Sequence, residues 1–381
     1  MSRGAPASSP PWEGRSPTEA HRRAYADAEP RPFWLGAPDA GAAPEPLAGD
    51  AECDLCIVGG GLSGLWAALE AIEADPGRDV MLVEGERVGH AASGRNGGFF
   101  MSSLMHGVSN GYARFPDEMP ALERLGMENF NATVEAVCHH EIDCDLELTG
   151  VLTVALEPHQ LDWLREEAEL LRRGGHEVEF LDETKARAEI ASPTYLGAAW
   201  QRSGAAFLDP GKLCRGLERA ARRLGVRVHE HTPIHALERA TQGVELRTPN
   251  GTVRAAHALL ATSAFPGLVP AVRRRVVPVY DYVLVSEPLA PEQHRSIGWE
   301  RRQGVGDSAN QFHYYRLTAD DRILWGGYDA IYNFRSGLRP VLEQREESFA
   351  TFSQHFFAPE QHRSIGWERR QGVGDSANQF H

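Results

Sequence analysis

Apolar and polar residues change their pattern at residue 53. Before it the chain is rich in Pro, Ala and Gly, which predicts an irregular lead-in over 1–50 whose Phe33-Trp34-Leu35 docks onto the body. A continuous apolar run over 53–58 predicts a buried strand, helical spacing over 62–74 predicts a helix, and a second run over 79–83 predicts another strand. Together they predict a β-α-β unit.

Further along, amphipathic helices alternate with short apolar strands. Helices are predicted over 118–138, 159–174 and 213–224. Strands are predicted over 147–155, 177–181, 226–229, 243–248, 252–261, 276–285 and 323–327. This interleaving predicts an α/β fold, and the strand-rich middle indicates a second domain inserted into the first.

The loop between the first strand and helix carries the pattern G-x-G-x-x-G, at Gly59, Gly61 and Gly64. The pattern is informative here because it follows a strand and opens a helix. Its glycines allow a tight turn, a close approach of the backbone to a pyrophosphate, and close packing of helix on strand. The free N–H groups of the helix start, at Leu62 and Ser63, would hold the pyrophosphate.

The second strand ends at Glu84, 20 residues past Gly64. A carboxylate there accepts hydrogen bonds from ribose hydroxyls and repels the 2′-phosphate of NADP, which leaves NAD and FAD open. Residues 85–99, GERVGHAASGRNGGF, favour FAD. Their glycines let the chain pass close to a bulky flat cofactor, and Ser93 and Arg95 offer donors to its phosphates.

At this point the sequence resembles a known family. DLCIVGGGLSGLWAALEA, followed by VEGERVGHAASGRNGGF, is similar to the FAD-dependent oxidases of the D-amino-acid oxidase (DAO) superfamily, and within it to the gamma-glutamylputrescine oxidase branch. The resemblance covers roughly residues 51–357 and continues through 149–155, 207–221, 261–289 and 313–327. ASGRNGGF, ATSAF and YVLVSEPL are more specific than the glycine motif, which many flavoproteins share.

The resemblance implies a discontinuous Rossmann-type FAD-binding domain with an inserted α+β substrate domain on a mixed or antiparallel sheet. The FAD-binding domain is expected over 51–108, 205–265 and 323–357, and the substrate domain over 109–204 and 266–322. The resemblance also implies further cofactor contacts. The phosphates and flavin ring would lie near Ser93, Arg95, Asn96 and Gly97, and the adenine would lie near Ile234. The segment Ala261-Thr262 would close over the cofactor.

The activity implied by the resemblance is oxidation of a C–N bond of a small-molecule amine. Hydride leaves for flavin N5, the imine is hydrolysed, and O₂ reoxidises the flavin to give H₂O₂. Because the flavin does the chemistry, no acid–base pair is required of the protein. His313, Tyr314, Tyr315 and Arg316 precede a strand that, by resemblance, returns toward the flavin, and are candidates for substrate contact.

Several alternatives stay open. A gamma-glutamylated polyamine is the leading substrate class, with a D-amino acid or an N-methylglycine as the others. A dehydrogenase that passes electrons to a quinone or a protein fits the same motifs, and so does an FAD-binding fragment without turnover. Covalent attachment of the flavin and the oligomeric state are not indicated by the sequence.

The segment 290–313, APEQHRSIGWERRQGVGDSANQFH, recurs unchanged at 358–381. An identical pair without a third copy is unlike a solenoid repeat and indicates a recent duplication or an assembly error. Family members continue here with a Gly-rich segment and a last helix that points at the flavin, whereas the duplicated block follows Phe357. We therefore expect a truncated C-terminus, a tail without a strand partner, and little oxidase activity.

The charge and hydropathy of the chain limit which partners and locations are expected. A formal net charge of −14 argues against a nucleic-acid or anionic-membrane surface. No apolar run is long enough to span a membrane, and the first residues lack the apolar core of a secretory signal, so a cytoplasmic location is expected.

Two clusters have metal or redox spacing, and neither is expected to be a site. Cys138-His139-His140-Glu141 with Cys144 resembles a metal cluster, but adjacent residues on one element point in different directions. Cys53-x-x-Cys56 lies in the first strand, where alternating burial explains it. No metal is therefore predicted.

Overall fold

The computed structural model describes residues 31–36, 43–263, 265, 268–276, 280–309, 312–327 and 371–375. Its helices are α1 (Leu62–Ala74), α2 (Val108–Arg114), α3 (Met119–His139), α4 (Gln160–Arg173), α5 (Glu183–Glu189), α6 (Pro210–Arg223), α7 (Pro270–Arg273) and α8 (Pro291–Ile297). Its strands are β1 (Ala51–Val58), β2 (Val80–Val83), β3 (Phe99–Met101), β4 (Val151–Ala155), β5 (Val178–Asp182), β6 (Gly197–Gln201), β7 (Ala205–Phe207), β8 (Arg227–His229), β9 (Ala236–Arg239), β10 (Val244–Thr248), β11 (Gly251–Leu260), β12 (Tyr280–Val285), β13 (Gly304–Asp307), β14 (His313–Leu317), β15 (Ile323–Gly327) and β16 (Gln371–Asp375).

The first sheet has the strand order β8-β2-β1-β11-β10-β9. Its first four strands are parallel, and β10 and β9 extend the sheet as antiparallel neighbours. Helix α1 joins β1 to β2 and packs with α6 through a core that includes Leu65, Leu69 and Leu217. This is the Rossmann-type β-α-β unit predicted from the sequence, with α1 at the predicted bounds.

The second sheet has the order β16-β12-β15-β14-β13-β4-β6-β5 and is mixed. Strands β13 and β4 are parallel, and the other pairs are antiparallel. Its core contains four of the largest buried side chains of the described residues, Trp299, Trp325, Tyr195 and Tyr315. The α/β fold with a second, mixed sheet is therefore confirmed.

One expected boundary differs from the structure. Residues 323–357 were expected in the FAD-binding domain, but β15 lies in the second sheet between β12 and β14. A tight turn, in which Thr318 N–H donates to the Arg322 carbonyl at 2.9 Å, makes β14 and β15 a hairpin, so the two strands must share a sheet. Residues 328–357 lie outside the described residues.

The repeated block also differs from expectation, because part of it pairs. Strand β16, which lies in the second copy, runs antiparallel to β12. The corresponding residues of the first copy form β13, between β4 and β14. The sequence GVGD therefore forms a strand twice in one sheet, once inside it and once at its edge.

Deleting residues 358–381 should lower the free energy of unfolding by no more than about 2 kcal/mol. The few net hydrogen bonds of an edge strand are largely offset by the entropy of ordering its residues. The exposed edge of β12 should increase association, which size-exclusion chromatography would detect beside urea unfolding. Deletion of 376–381, which keeps β16, is the control. If only the longer deletion lowered the free energy of unfolding by several kcal/mol, the repeated block would contribute substantially to the stability of the fold.

Candidate cofactor site

The turn after β1 requires glycine at its first position. Gly59 has φ +115°, and a Cβ there would overlap the carbonyl oxygen of Ala261. Ala261 approaches because its N–H donates to the Val58 carbonyl at 2.8 Å, which extends the β1–β11 pairing to the turn. Thr262 follows directly, so the predicted Ala261-Thr262 segment does adjoin the glycine turn.

The third glycine of the motif brings the helix against the turn. A Cβ at Gly64 would overlap the carbonyl oxygen of Gly59 and lie 3.3 Å from Cγ2 of Ile57. Helix α1 can therefore start close to the end of β1 only because this position has no side chain.

The start of α1 is not capped by its own N-cap residue. Its N-cap is Gly61, whose conformation is extended and which provides no side-chain cap. The hydroxyl of Ser93, from the short 3-10 turn Ala92–Gly94, accepts the Leu62 N–H at 2.9 Å. The Leu62 N–H, which was expected to be free, is therefore already bonded. Ser63 is exposed in the first turn. The positive end of a helix dipole, with a hydroxyl beside it, suits an anionic group such as a pyrophosphate.

The carboxylate of Glu84 is fixed at the end of β2. It accepts the Gly60 N–H at 2.6 Å and the Glu86 N–H at 2.9 Å, one with each oxygen. A carboxylate has about four acceptor positions, so two remain for hydroxyl donors. Glu84 therefore fits the ribose contact expected of it.

The segment expected at the adenine lies beside Glu84. Thr232 N–H donates to the Glu84 carbonyl at 2.8 Å, and Pro233 comes within 3.6 Å of a Cβ added at Gly85. The Ile234 side chain packs against the core of the first sheet, which leaves its backbone as the part that could meet a base.

Two polar side chains of the 85–99 loop, Arg95 and Asn96, form hydrogen bonds within the loop. The Asn96 amide donates to the carbonyls of Ala92 (3.0 Å) and Ser93 (3.1 Å), and its oxygen accepts the Gly98 N–H at 2.9 Å. Arg95 Nε donates to the His90 carbonyl, and burial together with this guanidinium lowers the pKa of His90. Both were expected near the phosphates; in this structure they hold the loop in shape.

The lead-in docks onto the body, as the sequence predicted, and it does so at this loop. Trp34 is 5% exposed, and its indole N–H donates to the Asn96 carbonyl at 2.8 Å. Cδ2 of Leu35 would lie 2.9 Å from a Cβ added at Gly94. Residues from the irregular segment therefore support the loop that follows β2.

Tyr314, on β14, lies against Gly97, the first of two consecutive glycines, Gly97-Gly98, in this loop. A Cβ at Gly97 would lie 2.8 Å from Cε2 of Tyr314, and a Cβ at Gly326 would overlap the same ring. The ring packs edge-on against Phe99, with centroids 5.3 Å apart. The four candidates for substrate contact thus form a strand themselves, and Tyr314 is the one that meets the predicted flavin loop.

Arg316, on the same face of β14, is fully buried. Its Nη1 donates to the carbonyls of Gly98 and Leu208, each at 3.0 Å, and its Nε donates to the Leu317 carbonyl at 3.1 Å. Burial lowers the pKa of Arg316 to about 10, with Glu147 and Asp209 acting in the opposite direction, so the side chain stays cationic at neutral pH. Its expected contact with substrate is corrected, because the side chain is 1% exposed and joins the loop to β14 and β7 instead.

Alternation along β14 turns His313 and Tyr315 to the other face. Tyr315 has no exposed surface; its hydroxyl lies 2.7 Å from that of Tyr195, and burial raises the pKa of both phenols. Its expected substrate contact is therefore also corrected. His313 Nδ1 lies 3.0 Å from the buried Asp307 carboxylate, and its ring stacks on Trp325. Substrate contact stays a prediction for His313 and Tyr314.

This fold and this loop define a dinucleotide-binding flavoprotein, and the family can now be stated. The model of the DAO family, described as FAD dependent oxidoreductase, matches residues 54–376, so the chain belongs to that family. FAD is the cofactor of this family. No helix among the described residues is long and apolar enough to cross a membrane.

Two curated proteins are similar to this chain in sequence. The chain is 35% identical over 281 residues to gamma-glutamylputrescine oxidoreductase of Escherichia coli (strain K12), which covers 72% of this chain and 64% of that protein. It is 31% identical over 289 residues to the probable oxidoreductase OrdL of Haemophilus influenzae (strain ATCC 51907 / DSM 11121 / KW20 / Rd), which covers 74% of this chain and 66% of that one. The chain thus matches slightly less than two thirds of the length of these relatives.

Solved structures support the fold. L-proline dehydrogenase from P. horikoshii matches with a TM-score of 0.68 at 15% identity, over 86% of this chain and 82% of that one. Glycine oxidase from Geobacillus kaustophilus matches with a TM-score of 0.67 at 18% identity, over 85% of this chain and 82% of that one.

Gly61→Val should abolish retention of FAD while the fold persists. A Cβ at this position would lie 2.8 Å from Oγ of Ser93, at the helix start that a pyrophosphate would approach. The side-chain hydroxyl can move, so the cost to folding is small. Flavin absorbance per chain and far-UV circular dichroism measure the two effects; a variant that retains one FAD per chain would refute the assignment of the fingerprint.

Glu84→Gln should weaken FAD binding by about 1–3 kcal/mol, the scale of charge-assisted hydrogen bonds. The amide has one acceptor oxygen, so it cannot serve both backbone N–H groups and the ribose hydroxyls. Titration of the apoprotein with FAD measures the change, with exposed Glu52→Gln as the matched control. Equal affinity in Glu84→Gln, or tight binding of NAD(P) without flavin, would contradict the role given to Glu84.

Proposed function

We propose that this chain is an FAD-dependent oxidoreductase that oxidises a C–N bond of an amine or amino acid, with a gamma-glutamylputrescine-like amine as the substrate class. One observation carries the proposal: the start of α1 is hydrogen-bonded to the 85–99 loop through Ser93, and the same loop packs against Tyr314 at Gly97. A dinucleotide site and an aromatic wall from the second sheet meet at Gly97. The relative named for gamma-glutamylputrescine supports the substrate class.

The described residues fit FAD at each part of the cofactor. The Ser63 N–H at the start of α1 and the Ser93 hydroxyl would hold the pyrophosphate, and the two open acceptor positions of Glu84 would hold the ribose. The backbone of Ile234 would meet the adenine. When bound, FAD would supply the hydride acceptor for the carbon beside nitrogen and the route by which the two electrons reach O₂, which becomes H₂O₂.

The protein's own part is to position and to exclude water. Arg316, on β14, donates hydrogen bonds to the carbonyl of Gly98 in the loop and to the carbonyl of Leu208, the residue after β7. These bonds hold the loop and Tyr314 in one relative position. Tyr314, Phe99 and Phe312 would cover one side of the flavin region with aromatic surface, which keeps water from the reacting atoms.

Anaerobic reduction of the FAD-loaded chain by candidate amines tests the proposal. Gamma-glutamylputrescine should bleach the flavin, and putrescine and glycine should do so less. Readmitted O₂ should restore the colour with one H₂O₂ per flavin. Reoxidation by a quinone or dye but not by O₂ would make the chain a dehydrogenase, and failure of every amine to bleach a flavin that dithionite reduces would overturn the proposal.

A further inference from the structure

A cluster of three potential ligands lies at the far end of α1 from the cofactor turn. Glu73, in the last turn of α1, meets His139 and His140 at the end of α3. Nε2 of His140 is 2.9 Å from Oε1 of Glu73, and one ligand atom from each of the three residues lies within 4.8 Å of the others.

The two histidines converge because the helix ends between them. His140 leaves the helical conformation (φ −87°, ψ 4°), and Glu141 follows with φ +54°. Ile142 N–H then donates to the Val137 carbonyl at 2.9 Å, which folds the chain back over the last turn of α3. The imidazoles come to lie edge to face with centroids 4.8 Å apart. The sequence argument that adjacent residues diverge holds within a helix but fails at this end.

The cysteines of the same sequence cluster take no part. Cys138 is exposed and Cys144 is buried in the core of the first sheet, and neither belongs to the convergent group. The carboxylate comes from Glu73 on α1 instead, 66 residues before His139 in the sequence.

We propose that Glu73, His139 and His140 bind a divalent transition-metal ion, with zinc the best fit. Two imidazoles and one carboxylate are ligands that zinc takes in a tetrahedral site, and solvent would supply the fourth. His140 is buried and fixed, since its carbonyl accepts Nη2 of Arg223 at 2.9 Å. Glu73 and His139 are exposed, so their side chains can close the remaining distance to an ion.

The ion would join the end of α1 to the end of α3, whose Val137 packs in the same core as Leu65 and Leu69. Helix α1 begins at the glycine turn and carries Glu73 in its last turn, so the ion would stabilise the far end of the same β-α-β unit. Because Glu73 is far in sequence from the two adjacent histidines, the full ligand set exists only in the folded chain, so binding favours the folded state. A hundredfold excess of zinc over its Kd should raise the Tm by roughly 3 °C for a chain of this size.

Zinc titration of the FAD-loaded full chain, free of affinity tags and stripped of metal by a chelator, tests the site. We expect one Zn²⁺ per chain by calorimetry, no competition from Mg²⁺, which prefers oxygen ligands, and two imidazoles by X-ray absorption. His139→Asn and Glu73→Gln should each weaken binding by at least about tenfold and remove the Tm shift. His139 is exposed, so this variant should fold normally.

Glu70→Gln, on an exposed position of α1, and His257→Asn, on an exposed position of β11, are the matched controls. They should bind zinc like the parent chain. The proposal is overturned if the parent chain binds no zinc, if it coordinates fewer than two imidazoles, or if the controls lose as much affinity as the cluster variants. In each of these cases the cluster is only the hydrogen bond between His140 and Glu73.

Discussion

Gly64→Ala is expected to destabilise the protein by about 3 kcal/mol or more and to abolish FAD retention. The added Cβ would overlap the carbonyl oxygen of Gly59, which is backbone and cannot rotate away. Relief requires α1 to move from β1, and that movement opens the core around Leu65 and Leu69. Urea unfolding followed by circular dichroism, with flavin content per chain, measures both losses.

Gly77→Ala is the matched control for this experiment. Gly77 is exposed in the turn after α1, and the nearest atom to an added Cβ is Oδ1 of Asp75 at 3.4 Å, an ordinary contact. This variant should keep its stability and its flavin. If Gly64→Ala behaves in the same way, the close packing of helix on strand is not what the third glycine provides.

Arg316→Met is expected to lower the free energy of unfolding by about 3–5 kcal/mol. The variant would leave the carbonyls of Gly98, Leu208 and Leu317 without the guanidinium they now bind. Loss of the guanidinium also removes the cation between the rings of Trp34 and Phe207, each 5.6 Å from Cζ. Flavin affinity should fall with stability, because the loop would no longer be tied to β14.

Two comparison variants separate geometry from charge at this position. Arg316→Lys keeps the cation but cannot reach several carbonyls as a planar fork does, so it should recover only part of the loss. Arg124→Met, in a helix-surface ion pair, should change stability by less than about 0.5 kcal/mol. Full recovery of stability by lysine would show that charge alone matters at 316.

The sequence predicted the elements whose pattern is local. Helix α1 matches its predicted bounds because an apolar stripe at helical spacing and a glycine turn define it without help from the rest of the chain. Strand β6, GAAWQ, was missed: all five of its residues are buried, so it has neither alternation nor strand-forming side chains at most positions. Its state is decided by β4 and β5 on either side.

In the candidate site, too, only the arrangement that depends on local sequence could be predicted. Gly59, Gly64 and Glu84 could be placed because one β-α-β unit brings them together. The role of Arg316 could not, since its partner Gly98 lies 218 residues away and strand alternation alone does not say which face meets the loop. Gly60, whose N–H binds Glu84, was also missed, although it stands inside the glycine run.

The lead-in has a consequence for where the cofactor unit physically begins. The family match starts at residue 54, yet Trp34 and Leu47 are both buried. Leu47 N–H donates to Oγ1 of Thr232 at 3.0 Å, beside the segment expected at the adenine, and Trp34 supports the loop through Asn96. A chain cut at residue 54 would lose these two buried side chains and their hydrogen bonds, so the folded unit around the expected cofactor site extends upstream of the family match.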